Sequence, residues 1–209
     1  PSDTLTWPEG NAFLARRLAR DLDVDDCRFD TAVVAIRNDR SGCELACVRW
    51  PHLERERVRA RNVVYAGKLH SLPHVLEDLE DAQRRSLTGM QYSPWLVAAI
   101  HVTALPRAES GTRVAWDNIL YDSASLGYIV AGHQHARRDG VGEVLMYYLP
   151  VSETDGRHLL LTRSHAEWVN LIMNDLSQAH PQLENSVERI DLHRWGHGMV
   201  RPVPGSIFG

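Results

Sequence analysis

Leucine returns at every fourth position in Leu14, Leu18 and Leu22, with Phe13 and Ala15 widening the stripe and Arg16, Arg17 and Arg20 opposite it. That spacing predicts an amphipathic helix from about Ala12 to Leu22, launched by the turn Thr6-Trp7-Pro8-Glu9-Gly10-Asn11. The pattern then shifts to strands. Phe29 to Arg37 is rich in Val, Ile and Thr, Asn38-Asp39-Arg40-Ser41-Gly42 makes a turn, and Cys43 to Trp50 returns. After a polar crossing, Pro51 to Glu56, a third strand is expected over Val58 to Ala66. Its end, Val63-Val64-Tyr65-Ala66, is apolar on both faces, as in a strand entering a buried sheet. Ser71 and Pro73 open a second helix to about Leu87, with Val75, Leu76, Leu79 and Ala82 inward.

Thr88 to Pro94 divides the chain, giving regions 1–90 and 91–209. The second region predicts strands at Trp95–Ala104, Val114–Tyr121, Gly127–His133 and Glu143–Val151, each bounded by Gly, Pro, Asp or Ser. Thr154-Asp155-Gly156 turns the chain, and Ser164-His165-Ala166-Glu167 is a capping box. Behind it Trp168, Ile172 and Leu176, with Val169 and Met173, form the apolar stripe of a helix ending before Pro181. A last strand, Ser186 to Arg194, delivers Trp195-Gly196-His197-Gly198-Met199-Val200-Arg201-Pro202-Val203-Pro204-Gly205. The three glycines and two prolines of this stretch predict a stiff, irregular loop rather than helix or sheet. The fold class expected is α+β, a mixed, largely antiparallel sheet with helices on one face.

Composition narrows the function classes. In 209 residues, 44% hydrophobic and 24% charged content is that of a globular domain. The longest apolar run, Trp95 to Leu105, is broken by His101 and Thr103 and is too short to span a bilayer. A net charge of -4 argues against nucleic acid. Cys27, Cys43 and Cys47 form no C-x-x-C pair and read as small apolar fillers.

Candidate chemistry is sparse. His133-x-His135 and His193-x3-His197 have ligand-like spacing, but no further cluster completes a set, so no metal is expected. No G-x-S-x-G elbow is present. Gly140-Val141-Gly142 lacks a third glycine and reads as a hairpin turn. Asp117 and Asp122 flank a strand with no sign of split acidities.

The order of several short blocks resembles the flavin-containing amine oxidase family, in particular bacterial FAD-dependent oxidoreductases of the amine oxidase and phytoene desaturase type. The blocks are Thr6-Trp7-Pro8-Glu9-Gly10-Asn11 with its helix, Val33-x-x-Ile36, Val63-Val64-x-Ala66 and Tyr92-Ser93-Pro94-Trp95-Leu96-Val97. They continue with Ala115-Trp116-Asp117-Asn118-Ile119-Leu120-Tyr121, Leu126-Gly127-Tyr128, and Trp195 through Gly205. The resemblance implies the middle of a longer enzyme: residues 1–90 would be a residual part of the FAD-binding domain and 91–209 the substrate-binding domain. FAD would belong to that parent, with none bound to this chain alone, which has no Gly-rich βαβ turn.

By the same resemblance Val33, Ala66, Trp195 and Gly205 are cofactor-binding positions. Val33 matches the strand residue whose backbone meets the adenine, Ala66 a strand end near the cofactor, and Trp195 the tryptophan walling the flavin side of the cavity. Trp116, Tyr128 and Tyr148 are the expected substrate-binding lining, with His197 beside them. The other reading of Trp195 is a core plug against the Trp168 helix. One departure stands out: many amine oxidases carry a lysine on the first substrate-domain strand, whereas that strand here is Leu96-Val97-Ala98-Ala99-Ile100 and the single lysine is Lys68. Either another donor serves the flavin or the substrate is not a simple amine. The partners expected are a small-molecule substrate and a second copy bound through an exposed first third, with no nucleic acid and no membrane. A cytoplasmic location is expected, or a periplasmic one if a twin-arginine signal has been removed. The alternative function is a free-standing ligand-binding or protein-interaction module derived from the same fold.

Overall fold

The computed structural model describes Trp7 and residues 9–107, 114–134 and 142–205. The Gly140-Val141-Gly142 turn lies largely outside them, as does His135. The chain divides into two units. One holds the described residues up to Phe13 with Tyr92–Arg201, and the other holds Leu14–Gln91 with the described residues from Pro202 on.

Helix α1 (Asn11–Leu18) is shorter than its leucine stripe predicts and buries none of its residues. Behind it β1 (Thr31–Asp39), β2 (Gly42–Arg49) and β3 (Glu54–Ala60) form an antiparallel sheet in that order. The third strand thus lies earlier than expected, and Val63–Ala66 is not strand at all. Charge explains the shift. Glu54 and Arg57 of β3 pair with Arg49 and Glu44 of β2, and Arg59 reaches Asp39 beyond them. Cross-strand charge pairs set the register here, and the apolar run that follows is not drawn into the sheet.

The expected second helix is broken in two, α2 (Leu72–Val75) and α3 (Asp81–Gly89). Between them Leu76 turns extended and bridges to Ile36, and Glu77 N–H donates to the Ile36 carbonyl. Arg37 pairs with Glu77, and Asn38 N–H donates to Asp78. The restart was written in the sequence: the Gln83 side chain accepts from Glu80 N–H, half of a capping box at Glu80-x-x-Gln83.

The larger unit is built on a five-stranded sheet. Its strands are β4 (Gln91–Val102), β5 (Asp117–Asn118), β6 (Tyr128–Val130), β7 (Glu143–Pro150) and β8 (Val187–Arg201), in the order β5-β6-β7-β4-β8. β5 and β6 are much shorter than their apolar runs predict. Before β5, the Asn118 amide accepts from Ala115 N–H and donates to Ala115 carbonyl, closing a turn where a strand was expected. Two helices, α4 (Gly156–Thr162) and α5 (His165–Ala179), complete the unit. α4 follows the Thr154-Asp155-Gly156 turn, where the sequence predicts no helix. Gly156 opens it because a Cβ there would stand 2.5 Å from the Val151 carbonyl oxygen. α5 follows its sequence closely: Ser164 and Glu167 form the capping box, and Trp168, Ile172 and Leu176 are buried.

Alternation decides which face of the sheet is filled. Leu96, Ala98, Ile100 and Val102 of β4, Leu145, Tyr147 and Leu149 of β7, and Tyr128 and Val130 of β6 are buried. They join Leu160 of α4 and the α5 stripe in one core. Each Leu, Ile or Val among them contributes about 1.5–3 kcal/mol by leaving water. The α+β class, with antiparallel sheets and the helices of the larger unit on one face, is therefore as predicted.

Candidate functional site

Leu160 of α4 and the α5 stripe join the core on one face of the five-stranded sheet. Because the side-chain period of a strand is two, the other face carries the residues that alternate with the core. Val97, Ala99 and His101 come from β4, Met146 and Tyr148 from β7, and Ile129 from β6, with Val97 paired to Tyr148 and Ala99 to Met146. On β8 the facing can be read from contacts. Arg194 Nη1 donates to the Leu161 carbonyl of α4, and a Cβ on Gly196 would meet Arg157 of α4 at 3.0 Å. Residues 194 and 196 therefore look toward the helices, and Trp195 between them looks away.

This corrects the expectation of an irregular loop: Trp195 through Arg201 is strand, continuous with the run from Val187. The two prolines lie just beyond the end of β8, and β8 is a sheet edge, where interrupted pairing is tolerated. The glycines serve close approach, since a Cβ on Gly198 would stand 3.0 Å from the Trp95 ring.

Trp195 is 49% exposed, which sets aside the reading of it as a core plug. His101 and Asp191 place Trp195 along the face. His101 Nε2 lies 3.1 Å from Asp191 Oδ2, and Gly198 approaches Trp95, so residue numbers fall along β8 as they rise along β4. Counted back from that pair, Trp195 falls within one residue of Val97, the strand partner of Tyr148. The two aromatic candidates thus share one row of the open face. Tyr148 is half-buried, and burial, with the Asp117 charge adding to it, pushes its phenol pKa up. His197 packs edge-on to the Tyr92 ring with centroids 5.5 Å apart. Trp116 is exposed and sits one residue before β5.

Tyr128 stands elsewhere. It is 1% exposed on the helix side of the sheet, and its hydroxyl is 2.7 Å from Nε2 of the buried His180. Burial pushes the Tyr128 phenol up to about 12 and holds the His180 imidazole below its ordinary value, with the Arg107 backbone pulling the latter the other way. Val33, Ala66 and Gly205 belong to the smaller unit. Val33 lies beside a register shift of β1, Ala66 is exposed outside any strand, and Gly205 takes φ +87°.

One group on the open face was not singled out from the sequence. Arg189 Nη2 lies 2.9 Å from Asp191 Oδ2, beside the His101–Asp191 contact. His101 Nε2 also lies 3.1 Å from Arg189 Nη2, so the imidazole, the carboxylate and the guanidinium form one cluster. The signal was available: His101 interrupts the apolar run, and Arg189 and Asp191 alternate on the last strand. Lys68 lies in the smaller unit, where its carbonyl accepts from Ser71 and Tyr65. Among the described residues no three His, Cys, Asp or Glu side chains are placed to share a metal ion, and no helix is long and apolar enough to cross a membrane.

A half-exposed indole and a half-buried phenol on one open sheet face suit a flat heterocycle, since large rigid rings give contact area at little entropic cost. Several solved structures share this fold. Cyclohexylamine oxidase from Brevibacterium oxydans IH-35A is similar at 15% identity and a TM-score of 0.60, over 90% of this chain and 39% of that one. A redesigned putrescine oxidase is similar at 15% identity and 0.61, over 89% and 38%. UDP-galactopyranose mutase is similar at 13% and 0.62, over 90% and 39%. The chain thus spans about two fifths of the length of these structures and shares with them the fold. No curated protein sequence matches. The profile described as flavin containing amine oxidoreductase matches residues 2–209, and the chain belongs to that family.

Proposed function

We propose that this chain supplies the substrate-binding sheet of a longer FAD-dependent oxidoreductase, the face away from α4 and α5 turned to substrate and flavin. The observation carrying this reading is the division of the sheet into a face closed by α4 and α5 and a face left to Trp195 and Tyr148. When bound, the flavin supplies the two-electron acceptor. The residues of this chain do the rest. Trp195 and Tyr148 wall the cavity and fix the plane of an apolar substrate, and Trp116 and His197 extend the wall. His101, held by Asp191, is the proton acceptor on a face that lacks lysine. Val33, Ala66 and Gly205 are the cofactor-binding positions proposed within the smaller unit, the residual part of the FAD-binding domain. Tyr128 serves the core, not the substrate.

In the complete FAD-loaded enzyme, Trp195→Phe should lower turnover roughly tenfold, equivalent to ~1.4 kcal/mol at the barrier, with little change in melting temperature. A collapsed melting temperature with normal activity per folded molecule would make the strand architecture only. The chain by itself should hold no flavin through gel filtration. A preparation that stays yellow would defeat that expectation and favour a free-standing flavin-binding module.

A further inference from the structure

The three-stranded sheet of the smaller unit has two faces that differ in charge. Directly opposed residues share a face. Val48 therefore lies with Arg55 and Ala46 with Arg57 on one side, and Cys47 lies with Glu56 and Leu45 with Val58 on the other. The first side holds a groove of about 500 Å³, within the usual size of a small-molecule site. Its apolar floor is Ala46 and Val48, both half-buried, and Val34, which is 48% exposed. Val34 is the extra residue at a register shift in β1, and a bulge re-aims the side chain it inserts. Arg55 and Arg57 stand at the β3 side of the groove. From β3 across β2 to β1 is two strand spacings, roughly 10 Å. The groove is thus cationic at one end and apolar at the other.

The ion pairs of the sheet set these two arginines apart. Arg37 lies 2.7 Å from Glu77 and Arg59 3.1 Å from Asp39, and Arg49 is paired with Glu54. Arg57 has its carboxylate, that of Glu44, at 3.7 Å, beyond hydrogen-bond length. Arg55 has no ion pair among the described residues. Glu56, between the two in sequence, pairs with Arg28 and belongs to the opposite side. The strand arginines without a close carboxylate are therefore the two that flank the groove.

Two guanidiniums two residues apart on one strand can direct planar donor forks at one anion. A carboxylate is satisfied by a single fork, whereas a phosphate monoester brings three acceptor oxygens and up to two charges. The apolar floor then selects what the phosphate is attached to. Asp39 and Glu44 stand farther along the same face as Ala46. A broad anionic surface such as a bilayer would meet those carboxylates, and a small soluble anion would not.

We propose that this groove binds a soluble alkyl phosphate, its phosphate between Arg55 and Arg57 and its chain across Val48 and Ala46 toward Val34. The site lies within the smaller unit and does not rest on the reading of the five-stranded sheet. Calorimetric titration of the full chain with hexyl phosphate, inorganic phosphate and hexan-1-ol tests it. Hexyl phosphate should bind saturably, roughly tenfold or more tighter than either of the others. Arg55→Gln and Arg57→Gln, at exposed positions, should each weaken it about tenfold with the melting temperature unchanged. Arg59→Gln, on the same strand but tied to Asp39, should leave the affinity as it was. An equal loss in Arg59→Gln, equal affinity for hexyl phosphate and inorganic phosphate, or no saturable binding would overturn the proposal, leaving general attraction to surface charge. Co-sedimentation with phosphatidic acid vesicles without binding of free hexyl phosphate would overturn it too, in favour of a lipid surface.

Discussion

The two units of this chain use the same strand chemistry and reach opposite results. The five-stranded sheet buries one full face against α4 and α5, and its core runs unbroken from Leu96 to Leu183. In the three-stranded sheet the buried hydrophobic residues are Ile36 and Cys47. Around them Leu14, Leu18, Leu22, Phe29, Val33, Val34 and Val64 remain exposed, Leu18 to 83%. Hydrogen bonds and cross-strand ion pairs close the smaller sheet, yet much of the apolar pattern of its unit stays exposed among the described residues. An amphipathic stripe states that something should cover it, not what does.

Removing core bulk should give the largest contrast. Trp168→Ala should cost about 3–5 kcal/mol of unfolding free energy, whereas Leu18→Ala, on an exposed helix face, should stay within roughly 0.5 kcal/mol. Denaturant titration of both variants measures this, and equal losses would mean that α1 is covered in solution. The exposed apolar residues lead to the next expectation, self-association through the smaller unit. Light scattering should find a dimer or larger assembly that Leu18→Ser with Val64→Ser shifts toward monomer. A wild-type chain that stays monomeric at high concentration would remove the idea.

The smallest effect is on pH. His180 is held below its ordinary pKa by burial, so the folded state binds fewer protons than the unfolded state in acid. Its contribution is complete above about pH 6.5 and is lost as pH falls from there through the folded value. Tyr128, pushed up to about 12, acts at the other end. The unfolded phenol ionises first, so stability declines as pH rises from about 10 toward the folded value. Tyr128→Phe should flatten the alkaline decline, and His180→Gln the acid one, in melting curves taken across pH. An unchanged acid limb in His180→Gln would place the acid sensitivity elsewhere.

Much of the larger unit was legible because its signals were local. The Ser164–Glu167 box and the Trp168, Ile172, Leu176 stripe fix α5 within its own residues, and alternation fixes β4 and β7. The smaller unit misled where partners were distant. Val63–Ala66 has the composition of a buried strand, but ion pairs from β2 hold β3 at Glu54–Ala60 instead. A continuous helix from Ser71 failed because Leu76 found a strand partner in Ile36, a long-range contact that helical spacing cannot announce.

For the candidate site the division is sharper. The residue types could be read directly: Trp195, Tyr148, Tyr128 and His197 stand out as rings on strands or beside glycines. The ordered blocks carried the family as well, since chain order survives where overall identity does not. Which rings share a face could not be read so. Tyr128 and Tyr148 are both strand aromatics, and pairing of Tyr128 with Tyr147 sends one into the core and the other to the open face. A shift of one residue in that pairing would exchange them. The sequence determined the amphipathic elements, the antiparallel α+β class and the aromatic inventory, because each depends on neighbours a few residues away. Only the tertiary structure decided which sheet face stays open, that β8 runs on through Trp195, and that Asp175 collects three hydroxyls from two distant segments. Those outcomes rest on registers between strands and helices far apart in the chain, where the deciding energy is packing and hydrogen-bond satisfaction rather than local preference.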